Sequence, residues 1–153
     1  MNRRTLLKRS LAVSAVSVAA TAGLLVPGRV LAAYPKNAFE SKAVDSALST
    51  LLGSSSMEDS GDIKIKAPDI AENGSVVPVT VSTKIANAES ITILAEANGT
   101  PLVASFDISA AQGYVSTRIK MGKTGNVVAV VKSGGKMYTG KKEVKVTIGG
   151  CGG

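Results

Sequence analysis

The chain has 153 residues, a formal net charge of +7, one cysteine, no histidine and no tryptophan. This length fits one domain with a modest core, and a lone cysteine closes no internal disulfide. With no histidine and only one cysteine, ordinary zinc, haem or iron–sulfur ligation and histidine-based triads are excluded, and Tyr34, Phe39, Phe106, Tyr114 and Tyr138 are too few aromatics for base stacking.

The N-terminus reads Asn2-Arg3-Arg4-Thr5-Leu6-Leu7-Lys8-Arg9, followed by an apolar run from Leu11 to Val26. Pro27 and Gly28 break the run, and Val30 and Ala32 occupy the −3 and −1 positions of a signal-peptidase site. A basic, an apolar and a cleavage region in this order predict a signal peptide over residues 1–32. The paired arginines followed by Leu6-Leu7-Lys8 resemble a twin-arginine export signal, which places the mature chain in the periplasm. Cleavage after Ala32 removes five of the 18 bases (Arg3, Arg4, Lys8, Arg9, Arg29) and no acid. The mature chain keeps 13 bases against 11 acids, net +2. Nucleic-acid binding thereby loses its main support, and no membrane attachment is expected after processing.

Residues 33–148 are expected to form one domain. Asn37 to Leu52 carries one helical stripe of Phe39, Ala43, Ala47, Leu48, Leu51 and Leu52, with Asn37 and Glu40 as a capping box. From Ile63 the apolar period becomes two. Predicted strands are Ile63–Lys66, Val76–Thr83, Ser90–Ala97, Pro101–Asp107, Tyr114–Met121, Asn126–Lys132, Lys136–Thr139 and Lys142–Ile148. Asn73-Gly74, Asn98-Gly99, Gly122 to Gly125 and Gly134-Gly135 separate them. The pattern predicts a mainly β fold, an immunoglobulin-like antiparallel sandwich with a short N-terminal helix and a flexible glycine-rich arm. Pro78 is expected on an edge strand or at a bulge.

A two-residue type I′ turn at Asn98-Gly99 pairs Ile91 with Phe106, Ile93 with Ala104 and Ala95 with Leu102. It puts Leu94 opposite Val103 on the other face. Since Val128 and Val130 are also apolar there, an outward patch of Leu94, Val103, Val128 and Val130 is a candidate partner interface. The alternative is that the helix covers it. Charge is uneven too: residues 114–153 hold eight bases and one acid, Glu143.

The chain ends Val146-Thr147-Ile148-Gly149-Gly150-Cys151-Gly152-Gly153. Glycines on both sides give the cysteine nothing to pack against and leave its backbone free. A lone thiol in an exported protein points to intermolecular pairing or covalent attachment. A prenylation box needs three residues after the cysteine, and haem attachment needs a second cysteine and a histidine. A covalent carrier fits: the thiol of Cys151 holds cargo, and Gly149, Gly150, Gly152 and Gly153 form a thin swinging arm. A thiol at the reference pKa of about 8.5 is only about 3 % thiolate at pH 7, so activation falls to partner enzymes. No catalytic residue, metal ligand or resident cofactor is expected.

Together, the exported signal, the small β-rich body and the terminal Ile148-Gly149-Gly150-Cys151-Gly152-Gly153 resemble the SoxY family, sulfur-carrier subunits of the periplasmic thiosulfate-oxidising (Sox) system. The resemblance implies a heterodimer with a SoxZ-type subunit. It implies that a c-type cytochrome complex joins thiosulfate to Cys151 as an S-thiosulfonate. A hydrolase then releases sulfate to leave a persulfide, and a sulfane dehydrogenase oxidises the remaining sulfur in some organisms. The main alternative is a periplasmic structural or binding module that dimerises through Cys151. A ubiquitin-like carrier activated at Gly153 is disfavoured, because its adenylation needs ATP outside the cytoplasm.

Overall fold

The computed structural model describes residues 34–147 apart from residue 110. The expected signal segment and the glycine-rich arm lie outside these residues.

The helical stripe folds as two helices rather than one. α1 spans Lys36–Glu40 and α2 spans Val44–Leu52. Asn37 is not the cap: Pro35 occupies that position, and its carbonyl accepts the Ala38 amide at 2.9 Å. Ser41 ends α1 in an extended conformation while its hydroxyl donates to the Asn37 carbonyl at 2.8 Å. With the chain extended at Ser41, the second helix starts again at Val44.

Among the described residues nine strands follow: β1 (Glu58–Asp59), β2 (Ile63–Lys66), β3 (Ile70–Ala71), β4 (Val77–Thr83), β5 (Ala88–Ala95), β6 (Leu102–Asp107), β7 (Tyr114–Ile119), β8 (Gly125–Ser133) and β9 (Lys136–Val146). One sheet has the order β1-β9-β8-β5-β6, with β3 also on β9; the other has the order β2-β4-β7. The two predicted C-terminal strands are one, because Gly140 stays in the ladder opposite Ala129. β1 and β3 pair with β9 in parallel, so the larger sheet is mixed rather than purely antiparallel. Pro78 sits in the central strand β4, but at the end that β2 does not reach, so its missing amide disturbs no ladder on that side.

The facing sides of the sheets share one core. It contains Val77, Val79 and Val81 of β4, Ile91 and Ile93 of β5, and Val127, Ala129 and Val131 of β8. The other side of the larger sheet is also buried. Leu94, Leu102, Val128, Val130 and Met137 cluster there with Ala38, Ala47 and Leu48 of the helices. Burial on both faces is what makes β8 read as an unbroken apolar run.

The candidate interface is therefore corrected. Leu94, Val128 and Val130 are covered by the chain's own helices, with at most 1% of each exposed. Val103 is half-buried and packs against the opposite core. The predicted pairing holds from Ile91↔Phe106 to Ile93↔Ala104, then a bulge brings Leu102 rather than Val103 opposite Leu94. The cause lies in the connection. Left-handed φ values occur at Gly134 and Gly135 (56° and 77°) and at neither Asn98 nor Gly99, so the type I′ geometry belongs to the β8–β9 hairpin. Residues 96–100 form a wider loop, closed by Ala95 N–H donating to Pro101 C=O at 2.8 Å. At the far end of β6, the Ser109 backbone amide and hydroxyl both donate to Asp107, which holds its carboxyl below the usual carboxylate range.

Candidate functional site

Cys151 and its flanking glycines, Gly149, Gly150, Gly152 and Gly153, lie outside the described residues. What the structure describes is the root from which that segment departs. β9 is held there on both sides. The Lys145 amide donates to Asp69 C=O at 2.9 Å and the Thr147 amide to Ala71 C=O at 3.1 Å. Between them, the Val146 amide donates to the Thr124 hydroxyl at 2.8 Å. Three successive amides are thus satisfied in alternating directions, by β3 and by the loop before β8. Val144 beneath them is fully buried. The chain is fixed in place up to Thr147.

The loops around this root are stitched together. Met121 N–H donates to Gly74 C=O at 2.7 Å. The Asn98 side chain donates to Lys120 C=O at 2.7 Å and accepts from the Gly122 amide at 2.9 Å. Gly74 is packed so closely that a Cβ there would meet Val146 Cγ1 at 2.8 Å and collide with the Met121 carbonyl. We expect Gly74→Ala to cost about 1–3 kcal/mol, the usual range for overpacking. It should also deprotect the Val146 and Thr147 amides in hydrogen exchange. Unchanged protection at both amides would show that Gly74 does not seat the root.

The roles of Gly74, Thr124 and Asn98 escape the sequence. Their segments read as turns, and only tertiary contact shows that Thr124 and Gly74 meet β9 at Val146 and that Asn98 braces the loop at Lys120 and Gly122. The root is mixed in character. Lys123 and Lys145 are exposed beside the acids Asp69 and Glu72, and Ile70 and Val76 expose 57% and 49% of their surfaces. Among the described residues no group of three or more His, Cys, Asp or Glu could hold a metal, and no helix is long and apolar enough to cross a membrane.

A family model described as sulfur oxidation protein SoxY matches residues 48–151, more than half of the chain, and the match ends on Cys151. The chain belongs to the SoxY family. A solved structure of the sulfur carrier protein SoxY from Chlorobium limicola f thiosulfatophilum is 50% identical, with a TM-score of 0.62. The alignment covers 68% of this chain and 96% of that one. The reeler domain of human F-spondin is a distant likeness, 13% identical at a TM-score of 0.39 over 57% of this chain and 92% of that one. No curated protein matches. The chain is thus a mainly β SoxY-type protein, whose family acts in sulfur oxidation as a carrier.

Proposed function

We propose that this chain carries sulfur intermediates of thiosulfate oxidation on the Cys151 thiol, at the tip of a swinging glycine arm. The observation that carries this is a family match running to the single cysteine, four residues beyond a root fixed at Thr147. Four extended residues reach at most about 14 Å, enough to enter a partner's channel while the domain stays outside. Gly149, Gly150, Gly152 and Gly153 add no side chain to obstruct that passage.

The chemistry balances without a catalytic group of the chain's own. Loading joins the Cys151 sulfur to the outer sulfur of thiosulfate. It gives an S-thiosulfonate, one proton and two electrons, and the electrons pass to a c-type cytochrome complex. Hydrolysis by a second enzyme then cleaves the bond between sulfane sulfur and the sulfonate group. One water is consumed, sulfate and a proton leave, and a Cys151 persulfide remains. A sulfane dehydrogenase would oxidise that sulfur further. The chain would act as the substrate of these enzymes rather than as an enzyme. It would reside in the periplasm, delivered through residues 1–32 as a twin-arginine signal and paired with a SoxZ-type subunit.

Intact mass of the mature protein after exposure to thiosulfate and the loading enzyme tests the reading. The expected result is a gain of one thiosulfate group on the C-terminal peptide, reversed by thiol reduction. An adduct elsewhere, or a constant disulfide-linked homodimer under oxidising conditions, would refute it in favour of a structural module.

A further inference from the structure

β2, β4 and β7 contain no acidic residue. Their inner side supplies Val77, Val79, Val81, Val115 and Ile119 to the core. Their register sets three rows on the outer side: Lys64–Ser82–Tyr114, Lys66–Thr80–Ser116 and Pro78–Arg118. Lys64, Lys66 and Arg118 are exposed, and none of the three has an ion pair among the described residues. Most other cations, Lys120, Lys123 and Lys145 among them, are likewise unpaired among the described residues, so it is the absence of acids from these three strands that sets the face apart. Lys141 is matched by Glu96 at 3.3 Å, and Lys142, on the wall of the groove over this face, by Asp69 at 3.1 Å. The face therefore carries positive charge that the chain itself does not neutralise, although the mature chain is only about +2 overall.

The kind of partner follows from what accompanies the charge. Lys64 and Lys66 are two residues apart on one strand, about 7 Å, and Arg118 lies across the sheet, so the cations are spread rather than convergent. Thr80 and Ser116 are hydrogen-bonded to each other at 3.0 Å and do not converge on a small anion. Tyr114, 58% exposed, and the exposed Pro78 add apolar contact area, with a phenol that can hydrogen-bond. Dispersed cations around a tyrosine suit a broad acidic protein surface. The face also leads to the arm. Arg118 lies three residues before Met121, whose amide bonds the Gly74 carbonyl where Gly74 packs on Val146, and Lys142 lies five residues before Thr147 on β9.

We infer that the outer face of the three-stranded sheet is a docking surface for the acidic rim of an enzyme that acts on the Cys151 arm. The inference rests on the carrier reading of that arm. Exposed charge on such a face raises association rate more than residence time, which suits a carrier that must visit partners in turn. The test uses the full mature chain with Lys64→Glu, Lys66→Glu and Arg118→Glu combined, and the corresponding glutamine triple as a milder variant. The purified c-type cytochrome complex of the same organism, supplied with thiosulfate, is the probe. Glutamate reversal should lower kcat/KM for loading at least about tenfold at low salt and abolish the fall that added salt causes in the wild type. The glutamine variant should lie between. Reaction of Cys151 with a small neutral thiol reagent should be equal in all three. Loading that is indifferent to reversal overturns the proposal. So does a loss confined to co-sedimentation with phosphatidylglycerol vesicles, which would make the face a membrane surface. Binding of the Cys151→Ser chain to the complex is measured separately. If no adduct ever forms but reversal still weakens this binding about tenfold, the carrier reading fails and the docking surface stands. No binding, or binding unaffected by reversal, overturns the surface.

Discussion

Leu94→Asp is expected to unfold the domain. Leu94 has no exposed surface and sits among Leu102, Val128, Val130 and the helix residues Ala38 and Leu48. Truncating such a leucine to alanine costs about 2–5 kcal/mol. A carboxylate at the same place adds the cost of removing charge from water, several kcal/mol more, and the base nearest in register, Lys141 opposite Val128, is already paired with Glu96. The sum reaches the whole stability of a typical domain, about 5–15 kcal/mol. Urea titration should show Leu94→Ala with a lowered midpoint and an unchanged slope, and Leu94→Asp with no cooperative transition. A cooperative, near-native midpoint for Leu94→Asp would mean that the helices release the sheet and expose this surface after all.

That residue also shows where the sequence stops being legible. Period-two alternation located the main strands well, and β2 agrees residue for residue. Alternation reports which side chains share a face, but not what lies over it. Leu94, Val128 and Val130 read as an outward patch because the stripe on residues 37–52 carries no mark of the surface it covers. The bulge at Leu94 was hidden for a related reason. An Asn-Gly pair is the strongest local hairpin signal, yet Asn98 spends its side chain on Lys120 and Gly122, far along the chain. Tertiary bonds there override the local preference, and one extra residue sends Val103 to the other face. β1 and β3 have two residues each, too few for any period, and exist only because β9 offers them an edge. The proposed attachment residue, outside the described residues, presents the reverse case. The sequence singles out Cys151 because its glycine neighbours lack everything a packed cysteine needs, a property of composition rather than of folding. The grip of Thr124 and Gly74 on Val146 arises from tertiary contact alone, which no local pattern encodes.

Cys151→Ser should separate carriage from fold completely. Serine nearly matches cysteine in size, and the carrier reading gives Cys151, beyond the last described residue Thr147, no part in the core. Stability should therefore change by less than about 0.5 kcal/mol, as for surface substitutions in general. Chemically the loss is total. Every proposed intermediate is a sulfur–sulfur bond to the side chain, and a hydroxyl oxygen can form none of them. Enzyme-dependent consumption of thiosulfate should fall to the level without the chain. The variant should also act in a way that simple loss of protein would not. Its docking surfaces are untouched, so excess Cys151→Ser chain should compete with the wild type and slow loading in a concentration-dependent manner. Measuring both effects in one assay constrains the reading from two sides. Residual thiosulfate oxidation would remove Cys151 from the chemistry. Full inactivity without competition would mean that partners recognise the thiol itself, and that the folded domain contributes little to its presentation.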